Sequence, residues 1–94
     1  MIKLRLGKKY SQMLNRLLET DPQLNKQVAL ATYLFSHKPN DTRLKTHALK
    51  RHLKGKFAFS VNDDVRIVFE WMGKNTARFL AIGHHQQVYG KKSG

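Results

Sequence analysis

Ile2, Leu4 and Leu6 alternate with Lys3 and Arg5 at the start of the chain. A period of two marks a strand with one buried face. Gly7 interrupts it. Tyr10, Met13, Leu14, Leu17 and Leu18 then recur at helical spacing and predict an amphipathic helix over residues 8–19. Asp21-Pro22 reads as the start of a second helix. Asp is the N-cap, and Pro takes the first helical position, where a missing N–H costs nothing. Leu24, Val28, Ala31 and Phe35 form its buried stripe over residues 22–36, and His37-Lys38-Pro39-Asn40-Asp41 ends it. The short link between the two predicts an antiparallel helical hairpin.

Residues 42–56 read as a surface loop or short helical turn. A strand follows over 57–61, and Asn62-Asp63-Asp64 has turn chemistry. Residues 65–71 form the next strand, with Val65, Ile67, Phe69 and Trp71 on one face and Arg66, Val68 and Glu70 on the other. Gly73-Lys74-Asn75 turns the chain again, residues 77–82 complete the meander, and residues 90–94 read as a frayed tail. The order β-α-α-β-β-β predicts an α+β fold: a small antiparallel, twisted sheet with a two-helix hairpin on one face. At 94 residues the expectation is a single domain, 1–94. Two helices cover one face of such a sheet. Ile67 and Phe69 belong under them, so Arg66 is expected on the opposite, uncovered face.

Charge narrows the function. The chain carries 18 Lys and Arg against 6 Asp and Glu, a net charge of +12. Self-repulsion of that size does not help folding, and it favours a polyanionic partner. Eight basic or histidine side chains fall within 42–56: Arg43, Lys45, His47, Lys50, Arg51, His52, Lys54 and Lys56. Cysteine is absent, so a reducing cytoplasm is the expected compartment. The first residues have no signal-peptide core, and no apolar run approaches the roughly 20 residues of a membrane span. Five histidines invite a zinc reading, but without Cys, His-x-x-x-His spacing or many carboxylates, neither metal nor cofactor is expected. No phosphate-cradling glycine loop or serine nucleophile motif is present.

Three segments then carry a resemblance: Leu53-Lys54-Gly55, Val65-Arg66-Ile67-Val68-Phe69, and the ending Ile82-Gly83-His84-His85-Gln86-Gln87-Val88-Tyr89. In this order, at this length and charge, the chain resembles the RelE/ParE superfamily of bacterial toxins over residues 2–89. It is most similar to the YafQ/RelE-like branch. The resemblance implies the RelE-like microbial RNase fold and the toxin of a type II toxin–antitoxin system. The activity implied is a ribosome-dependent mRNA endoribonuclease, an mRNA interferase that inhibits translation. Its implied partners are a cognate antitoxin, mRNA and the ribosomal A site, with a DNA operator reached only through the antitoxin complex. ParE-like relatives inhibit DNA gyrase instead and lack the nuclease residues; the pair His47 and His85 weakens that alternative. A catalytically degenerate antitoxin-binding module is the other alternative.

Cleavage of this kind needs no metal. A 2′-hydroxyl attacks the adjacent phosphate, a base takes the 2′ proton, an acid protonates the departing 5′ oxygen, and cations hold the added charge. The resemblance places His47, Asp64, His85 and Tyr89 where the YafQ-like branch carries catalytic His, Asp, His and an aromatic. Arg66 falls on a phosphate-binding Arg. His85 is the candidate acid, with His84 as its neighbour and possible substitute. His47 is the candidate base or a phosphate ligand, and either histidine could instead be merely solvated. Asp64 could orient a histidine or simply serve the turn. Arg66 could grip the phosphate with two N–H groups or pair with Glu70 across the sheet. Tyr89 could stack on a base, hydrogen-bond a phosphate or pack on the sheet edge. Lys50, Arg51, Lys54 and Lys56 are candidates to hold the RNA backbone or ribosomal RNA. Ser60 departs from the family pattern, standing where the YafQ-like branch has another catalytic His.

Overall fold

A computed structural model describes residues 1–85 and residue 88. The chain runs β1 (Lys3–Leu6), α1 (Lys8–Thr20), α2 (Leu24–His37), β2 (His47–Ala48), β3 (Phe57–Ser60), β4 (Val65–Trp71) and β5 (Thr76–His84). Short 3-10 turns at Thr42–Leu44 and Arg51–Leu53 flank β2. The architecture is the expected α+β one, with two refinements. The sheet has five strands in the order β1-β5-β4-β3-β2, and β1 lies parallel to β5 while the other pairs are antiparallel. Both helices intervene between β1 and the meander, a crossover long enough to bring β1 back in the same direction. β2 is two residues long, too short for any alternation to show in sequence.

Gly7 joins β1 to α1 under a tight constraint. Its N–H donates to the Phe79 carbonyl at 2.9 Å, and a Cβ there would stand 2.7 Å from that oxygen. The α1 stripe of Tyr10, Met13, Leu14, Leu17 and Leu18 packs on the sheet as its spacing requires. α2 buries Leu24, Val28, Ala31 and Phe35, the stripe its period predicts. Its start differs from the Asp21-Pro22 expectation. Pro22 and Gln23 form a turn, Gln23 is already in the right-handed helical region, and the Asp21 main-chain oxygen rather than its carboxylate takes the Leu24 N–H at 3.1 Å. The end of α2 is tied back to the sheet by Ile2 N–H donating to Ser36 O at 2.8 Å.

Phe35 fills the centre of the main core. Its ring stacks on Phe59 at 4.7 Å and meets Phe69 edge-on at 4.7 Å and Phe79 at 5.8 Å. Each such pair adds about 0.5–1.5 kcal/mol beyond the area it buries.

The ladder between β4 and β5 is not regular. Val68 pairs with Ala81 and Phe69 with Phe79, which leaves Leu80 without an opposite number. This bulge changes the phase of β5. Ala77 and Phe79 face the helices before it, and Ile82 faces them after it. The opposite face is not bare. Ala58, Val68 and Val88 form a second small apolar cluster there, with Leu49, Leu80 and Ala81 packed against it.

Candidate functional site

Cross-strand partners share a face, so the register locates each candidate residue. Arg66 pairs with Ser60 on β3 and Gly83 on β5. It lies on the face turned from the helices, as parity requires. His47 pairs with Ala58, which in turn pairs with Val68. His47 therefore sits on the same face one row along, its Cα about 12 Å from that of Arg66 by ordinary strand spacings. Two long side chains can converge across that gap.

The local chemistry of Arg66 is defined. Its Nη1 donates to the carbonyl oxygens of Asn62 at 2.7 Å, Asp63 at 3.0 Å and Val65 at 3.3 Å. Nε and Nη2 carry no hydrogen bond among the described residues. They form the side of the guanidinium that matches two oxygens of a phosphate. Glu70 does not occupy it, because its carboxylate pairs with Arg78 at 2.8 Å. The cross-strand ion pair that competes with the phosphate role thus belongs to a different arginine.

His47 lies exposed on the edge strand, and its Nδ1 is 3.1 Å from the Lys45 carbonyl oxygen. A carbonyl only accepts, so Nδ1 carries the hydrogen and the neutral ring keeps its lone pair on Nε2. That is the nitrogen a general base would use.

The structure separates the two adjacent histidines. His84 pairs with Val65, whose side chain is in the main core, so His84 belongs to the helix side at the end of the sheet. His85 follows the end of β5 with helical backbone, and its N–H donates to Asp64 O at 3.2 Å. Asp64 meets His85 through its main chain; among the described residues its exposed carboxylate holds no imidazole. Tyr89 lies outside the described residues.

The basic segment closes into a lobe. Leu49 N–H donates to Lys56 O at 2.9 Å, and Gly55 makes the return turn with φ of +91°. Lys50, Arg51 and Lys54 are exposed on the lobe, and Lys56 is half-buried at its base. Lys45 and Arg51 both have left-handed backbone, with φ of 51° and 59°. Such conformations cost on the order of 1 kcal/mol or more for a residue with a Cβ. Leu49 anchors the lobe on the Val88 cluster, beside the row that holds His47. The arrangement brings Arg66, the His47 imidazole and the base of the basic lobe to one face, which can take a polyanion across it. Among the described residues, no three His, Cys, Asp or Glu side chains gather closely enough to hold a metal ion. No helix is long and apolar enough to cross a membrane.

Sequence reasoning missed Asn62 and Gln27, joined side chain to side chain at 2.8 Å. Asn in a turn signalled the first; nothing signalled the second. It also missed the Leu80 bulge and the burial of Val88 on this face.

No protein-family model and no curated protein matches the chain, but solved structures do. YafQ from E. coli superposes with a TM-score of 0.78 at 17% identity, over 96% of this chain and 100% of that one. The same protein in the E. coli DinJ–YafQ toxin–antitoxin complex gives 0.75 at 20% identity, over 95% and 98%. A copper-bound mutant toxin from Helicobacter pylori gives 0.69 at 27% identity, over 94% and 99%. A YoeB/ParE toxin from Agrobacterium tumefaciens gives 0.74 at 15% identity, over 89% and 99%.

Proposed function

We propose, from the premise that this chain has the fold of the RelE/ParE-superfamily toxins and stands close to YafQ, that it is the toxin of a type II toxin–antitoxin pair and cuts messenger RNA on the ribosome. One observation carries the reading. Arg66 shares a sheet face with His47, its Nη1 is held by main-chain carbonyls, and its Nε and Nη2 carry no hydrogen bond among the described residues.

His47 Nε2 accepts the proton of the 2′-hydroxyl as that oxygen attacks the phosphorus. The P–O5′ bond breaks, and His85 gives its proton to the departing 5′ oxygen. The products are a 2′,3′-cyclic phosphate and a free 5′-hydroxyl, with one proton taken up and one released. Arg66 holds two non-bridging oxygens as negative charge builds on them, an interaction stronger in the transition state than in the ground state. Tyr89 stacks on a neighbouring base. Asp64 fixes the backbone of His85 through its carbonyl. The lobe of Lys50, Arg51, Lys54 and Lys56 takes the RNA backbone or ribosomal RNA, giving salt-dependent binding. The toxin works in the cytoplasm, needs no metal, and is neutralised by an acidic antitoxin that complements +12. A likeness to the toxin of the DinJ–YafQ complex supports that partnership. Any operator DNA is contacted through the antitoxin complex.

The test is 5′-end mapping of cellular mRNA after brief induction. New ends should fall within translated codons and carry a 5′-hydroxyl. Arg66→Ala and His85→Ala should each lower cleavage about 100-fold or more with folding retained. Full toxicity in both variants, or inhibited supercoiling with intact mRNA, overturns the reading.

A further inference from the structure

One side chain organises the turn between β3 and β4, and the cleavage steps above make no use of it. Asn62 Oδ1 accepts from the main-chain N–H groups of Asp64 and Val65, each at 2.8 Å. Its own main-chain oxygen accepts from Arg66 Nη1 at 2.7 Å. Its side-chain amide donates to Gln27 Oε1 on α2 at 2.8 Å. Through Asp64 the same turn reaches the next candidate, because the Asp64 carbonyl takes the His85 N–H.

We infer that Asn62 is a positioning residue for Arg66, with Gln27 as its anchor on the helical layer. The inference rests on the nuclease reading and deepens it. A guanidinium on a three-carbon stem has many rotamers, and here three carbonyl oxygens converge on one nitrogen. They converge only while residues 62–65 keep the turn that the Asn62 side chain closes, a local bond between side chain and backbone that Asn and Asp make well. With Nη1 held, Nε and Nη2 are set at a fixed angle to the sheet. The bond to Gln27 stops the turn from swinging on its two strands. Asn62 itself touches no reacting atom; it acts by keeping another group within reach of the phosphate. Displacements of about 1 Å in such a group can cost on the order of 100-fold in rate.

The experiment is steady-state cleavage of a translated message on purified ribosomes, using wild type, Asn62→Ala, Asn62→Asp and Gln27→Ala. Asn62→Ala should lower kcat about 30-fold and leave KM within about threefold, because the basic lobe still holds the RNA. Asn62→Asp keeps the Oδ1 acceptor and should restore kcat to within about fivefold of wild type. Gln27→Ala should cost about threefold in kcat. The Arg66 Nε–H resonance should shift or broaden in Asn62→Ala and stay near its wild-type position in Asn62→Asp. A folded Asn62→Ala with wild-type kcat, a loss that lies in KM, or an Asp variant that folds without rescue overturns the inference. Should Asn62→Ala not fold, Gln27→Ala decides, since that side chain is exposed; unchanged kcat and an unchanged Arg66 resonance overturn it. A wild-type chain that cuts no message overturns the nuclease reading itself, and the positioning role with it.

Discussion

Ser60 of β3 and Arg66 of β4 are register partners, side by side on the sheet face turned away from the helices. Directly opposed Cβ atoms in such a pair are about 5 Å apart. Ser60 is also the position where the YafQ-like pattern carries a further catalytic histidine. Ser60→His would set an imidazole next to the guanidinium. Cleavage in that variant should rise about tenfold, with an added limb in the pH–rate profile near neutrality. Ser60 is half-buried on the open face, so melting should change little. A pH–rate series on ribosomes, run beside wild type, checks both points.

Arg51 is held at φ of 59°, a backbone that glycine adopts without cost. Arg51→Gly should therefore stabilise the chain by about 0.5–1 kcal/mol while weakening its hold on RNA. The expected signature is a higher melting temperature together with a salt dependence of RNA binding reduced by about one charge. A variant that is stabilised and binds RNA as before would remove Arg51 from the RNA-contacting set.

Phe35 is fully buried between rings contributed by three strands. Phe35→Ala removes those contacts and leaves a cavity that rigid strands cannot close. The expected loss is about 3–5 kcal/mol, a large part of the stability of a domain this size. Denaturant unfolding of the variant against wild type measures it.

Tyr10 packs edge-on against Phe79 at 5.3 Å, and burial pushes its hydroxyl up from 10.0 to about 12. Below pH 10 the proton is kept in both folded and unfolded chains. Between pH 10 and 12 only the unfolded chain ionises there, so stability is lost as pH rises through that window. Tyr10→Phe should lack this loss, and its melting curve should be flatter over the same range. Ultraviolet titration of the phenols should show one Tyr ionising late in wild type and not in the variant.

The periodic elements were legible in the sequence because their main apolar stripe faces the core on one side, Val68 being the exception that is buried on the other. The α2 stripe and the alternation of β4 both follow from that. β2 was not legible: two residues carry no period, and pairing with β3 alone makes them a strand. The parallel placement of β1 depends on a crossover rather than on any local pattern. For the candidate site, parity sufficed to put Arg66 on the open face, since one residue either way would drive a charge into the phenylalanine core. The role of Asn62 was hidden because its partners are main-chain groups and a glutamine 35 positions away. The competing reading of Arg66 as a partner of Glu70 needed coordinates to resolve, because Arg78 lies on a different strand.

The unpaired Leu80 behaves as a phase shifter for everything that follows it. With Leu80 paired opposite Val68 instead of bulged out, the β4–β5 ladder would be regular and the two sides of the downstream chain would exchange. Ile82 would then stand opposite Arg66 and leave the core, and His84 would share a side with Arg66. The side of the sheet that His84 takes is therefore set by a backbone irregularity four residues earlier, where no chemistry takes place.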